Sequence, residues 1–451
     1  MRLYITEEKK RYTSFLECVR QEGYSVKDLN KKAVIHFLST GLHYFNETFI
    51  SGMEKQFTHQ KYSLDPDQGI QEIGDGEVSP LDVKTVESPV EAFLEFFAKR
   101  VKFLAGRKLS LDLTGGIDSR LVATVLHHFG ISFDTVFSRD SGTGEEAEIV
   151  RTVAGILGRP VQILQSAGPV DKKQLNELFQ IGDAHFDVLA LRSLRNTQSW
   201  RKGAGYDLVI TGIGGELYKD FWWQQDFPFY TRQKPDLEKL LGMRMHVSAL
   251  PDKWLGGHYR FDAKAHLISI LERYIQSTNT RTYDQIYYQV KIREQVSVMT
   301  RATGAYLDVY SPLLEKDLLD IGYNLPRRRR FFNRFHRQVI TALNPHVARI
   351  PTTEGGMTVS GNRMDILNDL SLYGKDKTSK LLTKIRRKRN EPAGSDPQEE
   401  GSIVAAEIKE SLELMKDSGI FSTLAPTVQN ELPAALRGRV LTIGMLLKML
   451  R

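Results

Sequence analysis

The sequence has few of the features that announce whole classes of protein. Among 451 residues there is one cysteine, Cys18, so no internal disulfide framework and no cysteine-based metal cluster can be built. No run of about 18 apolar residues is present, so no segment is expected to cross a bilayer. No signal-peptide pattern opens the chain either, and a cytoplasmic protein is expected. There is little excess of one charge: 62 Lys and Arg against 55 Asp and Glu leave +7. That surplus suits a small anionic ligand, an anionic polymer or a membrane surface, and it is too diffuse to establish nucleic-acid binding. With 41% hydrophobic and 26% charged residues the chain belongs with globular proteins. Its length can bury a sizeable core in two or three domains.

The strongest pattern present is Leu109-Ser110-Leu111-Asp112-Leu113-Thr114-Gly115-Gly116-Ile117-Asp118-Ser119, followed by Arg120-Leu121-Val122-Ala123-Thr124-Val125-Leu126. Alternating leucines predict a covered strand, and the spacing after the glycines predicts a buried helix. A strand, a glycine turn and a helix start make an anion site, because backbone N–H groups and the helix N-terminus both face the turn. Thr114 and Ser119 can donate hydroxyl hydrogen bonds to phosphate. Asp118 would repel a bare phosphate, which points to a bridging Mg²⁺. The Gly-Lys-Ser/Thr ending of a Walker loop is absent.

Residues 1–32 are polar, with a short helix expected over Tyr12–Gln21; Cys18 there reads as an inert, half-buried thiol. Ala33–Thr40 predicts an amphipathic helix stopped by Gly41, residues 65–84 a linker or hairpin, and Pro89–Gly106 a helix. Ser132–Ser138 and Val161–Leu164 read as parallel strands separated by a helix over Gly144–Gly158, whose Glu145 and Glu146 suit its N-terminal dipole. Strands alternating with helices predict an α/β fold with a parallel sheet. A second strand-to-glycine turn, Asp207-Leu208-Val209-Ile210-Thr211-Gly212-Ile213-Gly214-Gly215-Glu216-Leu217-Tyr218, ends in a carboxylate. Glycines at the C-terminal end of such a strand let a ligand approach the backbone.

Residues 219–282 are rich in aromatics, with Trp222-Trp223 either lining a pocket or forming core, and Arg281–Arg301 reads as helical. Asn324–Arg337 holds a basic run that fits a phosphate or carboxylate clamp, a solvated face or an interdomain salt-bridge set. A second basic run, Lys384–Asn390, leads into a flexible linker, and helices at Ile403–Lys416 and Arg437–Met449 are expected to dock back on the core. The division that results is 1–84, 85–357 and 358–451, with the flexible basic and acidic stretch at 384–402.

Over roughly residues 33–357 these segments resemble the N-type ATP pyrophosphatases, or PP-loop enzymes, and in particular the synthetase domain of asparagine synthetases. Relatives include β-lactam synthetase and lasso-peptide cyclases. Thr114-Gly115-Gly116-Ile117-Asp118-Ser119 is similar to the family's Ser-Gly-Gly-x-Asp-Ser loop. The resemblance implies an adenine-nucleotide alpha-hydrolase-like α/β fold, preceded by a truncated remnant of the glutaminase domain and followed by a helical C-terminal part. Glutamine hydrolysis is not expected, because Met1-Arg2 stands where that domain has a nucleophilic cysteine.

By the same resemblance, ATP would lie on Leu113, Thr114, Gly115, Gly116, Asp118 and Ser119 and on Gly212, Gly214 and Gly215, with adenine at Phe137 and Ser138. Mg²⁺ would sit between Asp118 and Glu216. Glu216 takes the family's Asp position without a gap, or that of the following Glu with a one-residue gap. Asp308 falls where the family has a catalytic Glu and would be a general base, with Tyr310 replacing an Arg and with Pro312 and Leu314 matching. The family's Lys before Gly-Phe is missing from Thr352-Thr353-Glu354-Gly355-Gly356-Met357, so Arg334 or Arg337 would supply the cation. The implied activity is adenylation of a carboxylate, then amide formation with a small-molecule or peptide amine, releasing AMP and pyrophosphate. A lasso-type peptide or lactam cyclase and a catalytically degenerate nucleotide-binding scaffold are the alternatives. A homo-oligomer or a pathway partner protein fits either.

Overall fold

The structure, a computed structural model, describes residues 2–65, 69–77, 81, 85–138, 144–165, 168–219, 235–245, 247–257, 260, 262–353, 360, 371 and 401–451, with residues 57–65, 69–77 and 430 as backbone only. Its strands are β1 (Arg2–Ile5), β2 (Arg11–Tyr12), β3 (Glu54–Asp65), β4 (Gly69–Glu77), β5 (Leu109–Asp112), β6 (Asp134–Ser138), β7 (Val161–Leu164), β8 (Leu208–Ile210) and β9 (Asp308–Tyr310). The last five form a wholly parallel sheet in the order β7-β6-β5-β8-β9, flanked by helices. The expected α/β architecture is thus observed. The chain winds outward from β5 through β6 to β7, then returns to β8 on the other side of β5. The two directions part between β5 and β8, and open parallel sheets bind ligands at the C-terminal edge of such a point.

The central strands β5 and β8 are buried because helices cover both faces, whereas the outer strands β7 and β9 are partly exposed. Leu109, Leu111, Leu113, Leu208 and Ile210 are buried in one core with Ile117, Leu121, Val122 and Val125 of the helix Ile117–His128. The other sheet is antiparallel, in the order β2-β1-β3-β4. It was not legible as strands: the expected 65–84 linker or hairpin is a long hairpin that already starts at Glu54, and 78–80 and 82–84 lie outside the described residues. The first helix is Phe15–Glu22 instead of Tyr12–Gln21, because Tyr12 pairs with Tyr4 in β2 and Ser14 caps the helix by accepting from Glu17 N–H. Gly41 does stop the helix Lys31–Thr40, with φ +78° and its N–H on Phe37 O.

A second core joins residues of the N-terminal region to the helices Lys172–Gly182 and Ser297–Gly304 and to two C-terminal helices, Gly401–Asp417 and Ala434–Leu450. Cys18 lies in it fully buried, with burial pushing the thiol up to about 12, so it is more enclosed than the half-buried residue expected. An ion pair fastens the antiparallel sheet to the rest: Lys55 Nζ lies 2.9 Å from Glu294 Oε2, the side chains 1% and 3% exposed. Glu294 belongs to the middle of a long helical run, Asn279–Gly304, in which Tyr287–Val296 is π-helical.

Two buried imidazoles give this core a pH dependence. His43 Nδ1 lies 3.1 Å from His185 Nδ1, and His43 Nε2 lies 3.1 Å from Ala33 O. Nε2 of His43 must therefore carry its proton, and His185 must donate between the rings, which makes both rings neutral. Burial holds His43 down from 6.5 to about 3, and burial, with the repulsion that a second charged ring beside His43 would meet, also lowers His185. The unfolded chain takes up protons near pH 6.5 that these folded rings refuse. Stability is therefore complete above pH 6.5 and falls as the pH drops toward 3, by on the order of 5 kcal/mol for His43 alone. Buried Asp284, raised to about 6, runs the other way, because the folded carboxyl binds its proton before the unfolded one does. It offsets about 3 kcal/mol at most, so the two imidazoles win. Denaturant midpoints should fall clearly between pH 7 and pH 4, and a flat profile would contradict the neutral pair.

Candidate active site

The site begins where β5 ends. Thr114 N–H and Thr114 Oγ1 each lie 3.0 Å from Ser119 Oγ, and Gly116 N–H donates to Thr114 Oγ1 at 3.3 Å. Gly115 N–H donates to Glu146 Oε1 at 2.9 Å, so the second acidic residue of the helix Gly144–Ile156 sits on the loop itself. From above, Thr353 N–H donates to Gly115 O at 3.2 Å. A Cβ on Gly115 would stand 2.5 Å from Thr353 Cγ2, so only glycine fits under that residue. Arg120, fully buried, donates to Ile350 O at 2.6 Å and Pro351 O at 2.9 Å, which holds the covering segment in place.

The second glycine turn is packed directly on the first. A Cβ on Gly212 would come within 2.7 Å of Ser119 N, and one on Gly215 within 2.4 Å of Asp118 Cγ. Gly214 has φ +103°, and a Cβ there would press on Leu313 O at 2.9 Å. These glycines are thus required for loop-to-loop contact between the ends of β5 and β8. The turn then delivers two side chains. Lys219 Nζ lies 2.6 Å from Asp118 Oδ2, and Glu216 accepts from the Tyr287 hydroxyl. Tyr287 stands at the start of the π-helical stretch and also receives Gly214 N–H.

Asp118 is the electrostatic centre. His336 Nε2, on the helix Arg334–Leu343, lies 2.9 Å from its Oδ1. Burial pushes the carboxyl upward, but the charge of Lys219 and the imidazole of His336 outweigh it and hold Asp118 down to about 2. Although His336 is close, Oδ1 has no aligned hydrogen bond and is shielded from solvent. A shielded carboxylate oxygen with an open lone pair, and a second carboxylate, Glu216, carried on the turn packed against Asp118, are oxygen donors of the kind Mg²⁺ takes.

No protein-family model matches the chain, and no curated protein matches it. The chemistry must be read from the geometry.

The structure brings Thr114, Gly115, Gly116, Asp118, Ser119, Gly212, Gly214, Gly215 and Glu216 together at one edge of the sheet. Leu113 continues β5, its N–H on Val136 O, with its side chain buried in the core. Phe137 is also core, so its ring is not exposed to adenine; Ser138 ends β6 half-buried, 3.5 Å from Ser193 Oγ. Asp308 is not brought to the cluster. It is exposed and opens β9 level with Leu208, at the end of the sheet opposite the glycine turns. Arg334 is exposed and donates to Arg328 O at 3.4 Å, whereas Arg337 is buried and donates to Ser360 O at 3.1 Å. Of the two residues between those arginines, His336 is the one that meets Asp118. Lys219, His336 and Tyr287 were all missed by the sequence reading. Lys219 immediately follows the quoted glycine segment, and His336 was masked by the arginines around it. Trp222, Trp223, Glu354–Met357 and Lys384–Asn390 lie outside the described residues.

Proposed function

We propose that this chain is an ATP-dependent, AMP-forming carbon–nitrogen ligase of the PP-loop type, in which the interlocked glycine turns hold the triphosphate. The observation that carries this reading is Asp118, a half-buried, ionised carboxylate at the switch point of a parallel sheet, clasped by Lys219 and facing His336. Asp118 and Glu216 would hold Mg²⁺, which when bound supplies positive charge to the leaving pyrophosphate. A substrate carboxylate oxygen bonds to the α-phosphorus while the bond to the bridging oxygen breaks and pyrophosphate leaves. An amine then bonds to the acyl carbon, AMP leaves with the bonding electrons, and the amine proton passes to solvent or base. The N-terminus of the helix Ile117–His128 and the Lys219 ammonium stabilise the charge that develops on the phosphates. Lys219 takes the part for which the sequence suggested Arg334 or Arg337. If the amine belongs to the same molecule as the carboxylate, the product is a peptide or lactam ring.

One observation favours a second reading, a nucleotide-binding scaffold without turnover. Glu146 occupies the Gly115 N–H that a phosphate would otherwise take. The two readings separate in a single assay. With ATP, Mg²⁺ and a pool of carboxylates and amines, the ligase releases AMP and pyrophosphate only when its acid is present. Lys219→Met should lower that rate roughly 10²–10³-fold, as loss of one charge-stabilising donor does. ATP binding with no release of AMP under any condition would overturn the ligase reading and leave the scaffold.

A further inference from the structure

Away from the glycine turns, the described residues bring one other set of metal-type ligands together. His36 lies on the helix Lys31–Thr40, Glu47 in the loop beyond Gly41, and His266 on the helix Ala263–Glu272. One ligand atom from each lies within 4.8 Å of the other two. His36 Nδ1 is 2.6 Å from Glu47 Oε1, and the two imidazole centroids are 4.2 Å apart with the rings inclined at 35°. His36 is buried, while Glu47 and His266 are half-buried, which leaves a path to solvent on their side. The other carboxylate oxygen, Glu47 Oε2, is shielded from solvent and has no hydrogen-bond partner. An unsatisfied buried carboxylate oxygen is costly, and a bound cation removes that cost.

We propose that His36, Glu47 and His266 form a divalent transition-metal site, with Zn²⁺ the ion whose chemistry it fits best. Two imidazole nitrogens and one carboxylate suit a borderline ion rather than Mg²⁺ or Ca²⁺, which take oxygen. Three protein ligands leave a fourth tetrahedral position for water on the half-buried side. Bonds of about 2.0–2.1 Å place neighbouring ligand atoms ~3.3 Å apart, so half-buried His266 needs a side-chain shift of roughly 1–1.5 Å to complete the set. The hydrogen between His36 and Glu47 gives way as the metal enters: a neutral imidazole then carries it on the ring nitrogen that does not bind the ion, and an imidazolium releases one proton to solvent. The ion would join the helix Lys31–Thr40 to the helix Ala263–Glu272, acting as a staple between segments more than 200 residues apart in sequence. The site does not depend on the nucleotide reading.

The test uses the full-length chain stripped with chelator and titrated with Co²⁺, then with Zn²⁺ in competition. The expected result is one equivalent of Co²⁺ with the visible absorption of a four-coordinate ion, displaced by one equivalent of Zn²⁺, together with a rise in Tm. His266→Ala and Glu47→Gln should each weaken binding at least tenfold while far-UV circular dichroism stays unchanged. His266→Gln serves as the milder change should the alanine variant fold poorly. Asp118→Asn separates this site from the carboxylates at the glycine turns and should leave the Co²⁺ spectrum in place. Absence of stoichiometric binding, or binding undiminished in the His266 and Glu47 variants, would overturn the proposal.

Discussion

Asp118→Asn is expected to abolish pyrophosphate release from ATP, lowering the rate by roughly 10³-fold or more, and to destabilise the fold at the same time. Both effects come from one carboxylate. Its charge is held in place at any pH above about 2, chiefly by Lys219 and His336 acting against burial. Removing that charge leaves the Lys219 ammonium, 6% exposed, next to a neutral amide. Breaking a buried pair by removing one partner costs about 3–5 kcal/mol, because the remaining charge loses the counter-charge 2.6 Å away. Asparagine keeps the size of the side chain, so the close contact with Gly215 is preserved and the loop is not forced open. Lys219→Met paired with Asp118→Asn should therefore recover much of the lost stability and none of the activity. Urea midpoints of the single and double variants, read beside AMP release, check both halves. Full pyrophosphate release by a folded Asp118→Asn protein would remove Asp118 from the chemistry.

What was legible in the sequence was what is local. A strand, a glycine turn and a helix start lie within 18 consecutive residues from Leu109 to Leu126, so the pattern can be read without knowing the fold. The buried apolar run of β8 and the short β-branched stretches of β6 and β7 were equally plain. Lys219 and His336 meet Asp118 across 101 and 218 residues (219 − 118 and 336 − 118), and no short-range pattern encodes such meetings. The antiparallel sheet was hidden for a related reason. Its strands carry charged residues such as Arg2 and Lys55, whose burial is matched by Glu294, 239 residues beyond Lys55: its carboxylate receives Lys55 and its backbone carbonyl receives Arg2. Asp308 shows the opposite failure. Its place in a familiar order of residues suggested a catalytic role, but β9 is three residues long and Asp308 opens it, at the wrong end of the sheet. The four arginines from Arg327 to Arg330 look alike in sequence and differ only through their surroundings.

Arg330 is where that difference should be largest, and Arg330→Met is expected to cost about 3–5 kcal/mol of stability. Its guanidinium is 1% exposed and lies 2.8 Å from Asp284 Oδ2, itself 3% exposed. It also donates to Gly322 O and Tyr323 O, each at 2.9 Å, capping the end of the helix Lys316–Asn324. Burial pushes Asp284 up to about 6 and Arg330 resists that rise, so without Arg330 the carboxyl would take up a proton near neutral pH rather than stay charged. The double variant Arg330→Met with Asp284→Leu should regain most of the loss, since an apolar pair of similar volume can replace a buried ion pair. Arg328→Met, on an exposed neighbour, should change stability by less than about 0.5 kcal/mol. The pair also bears on activity. Asp284 lies three residues before Tyr287, whose hydroxyl holds Glu216 on the second glycine turn. Loosening Asn279–Ile286 therefore loosens the grip on Glu216. Near-wild-type AMP release by the Arg330→Met protein below its melting temperature would show that Tyr287 keeps its place without the ion pair behind it.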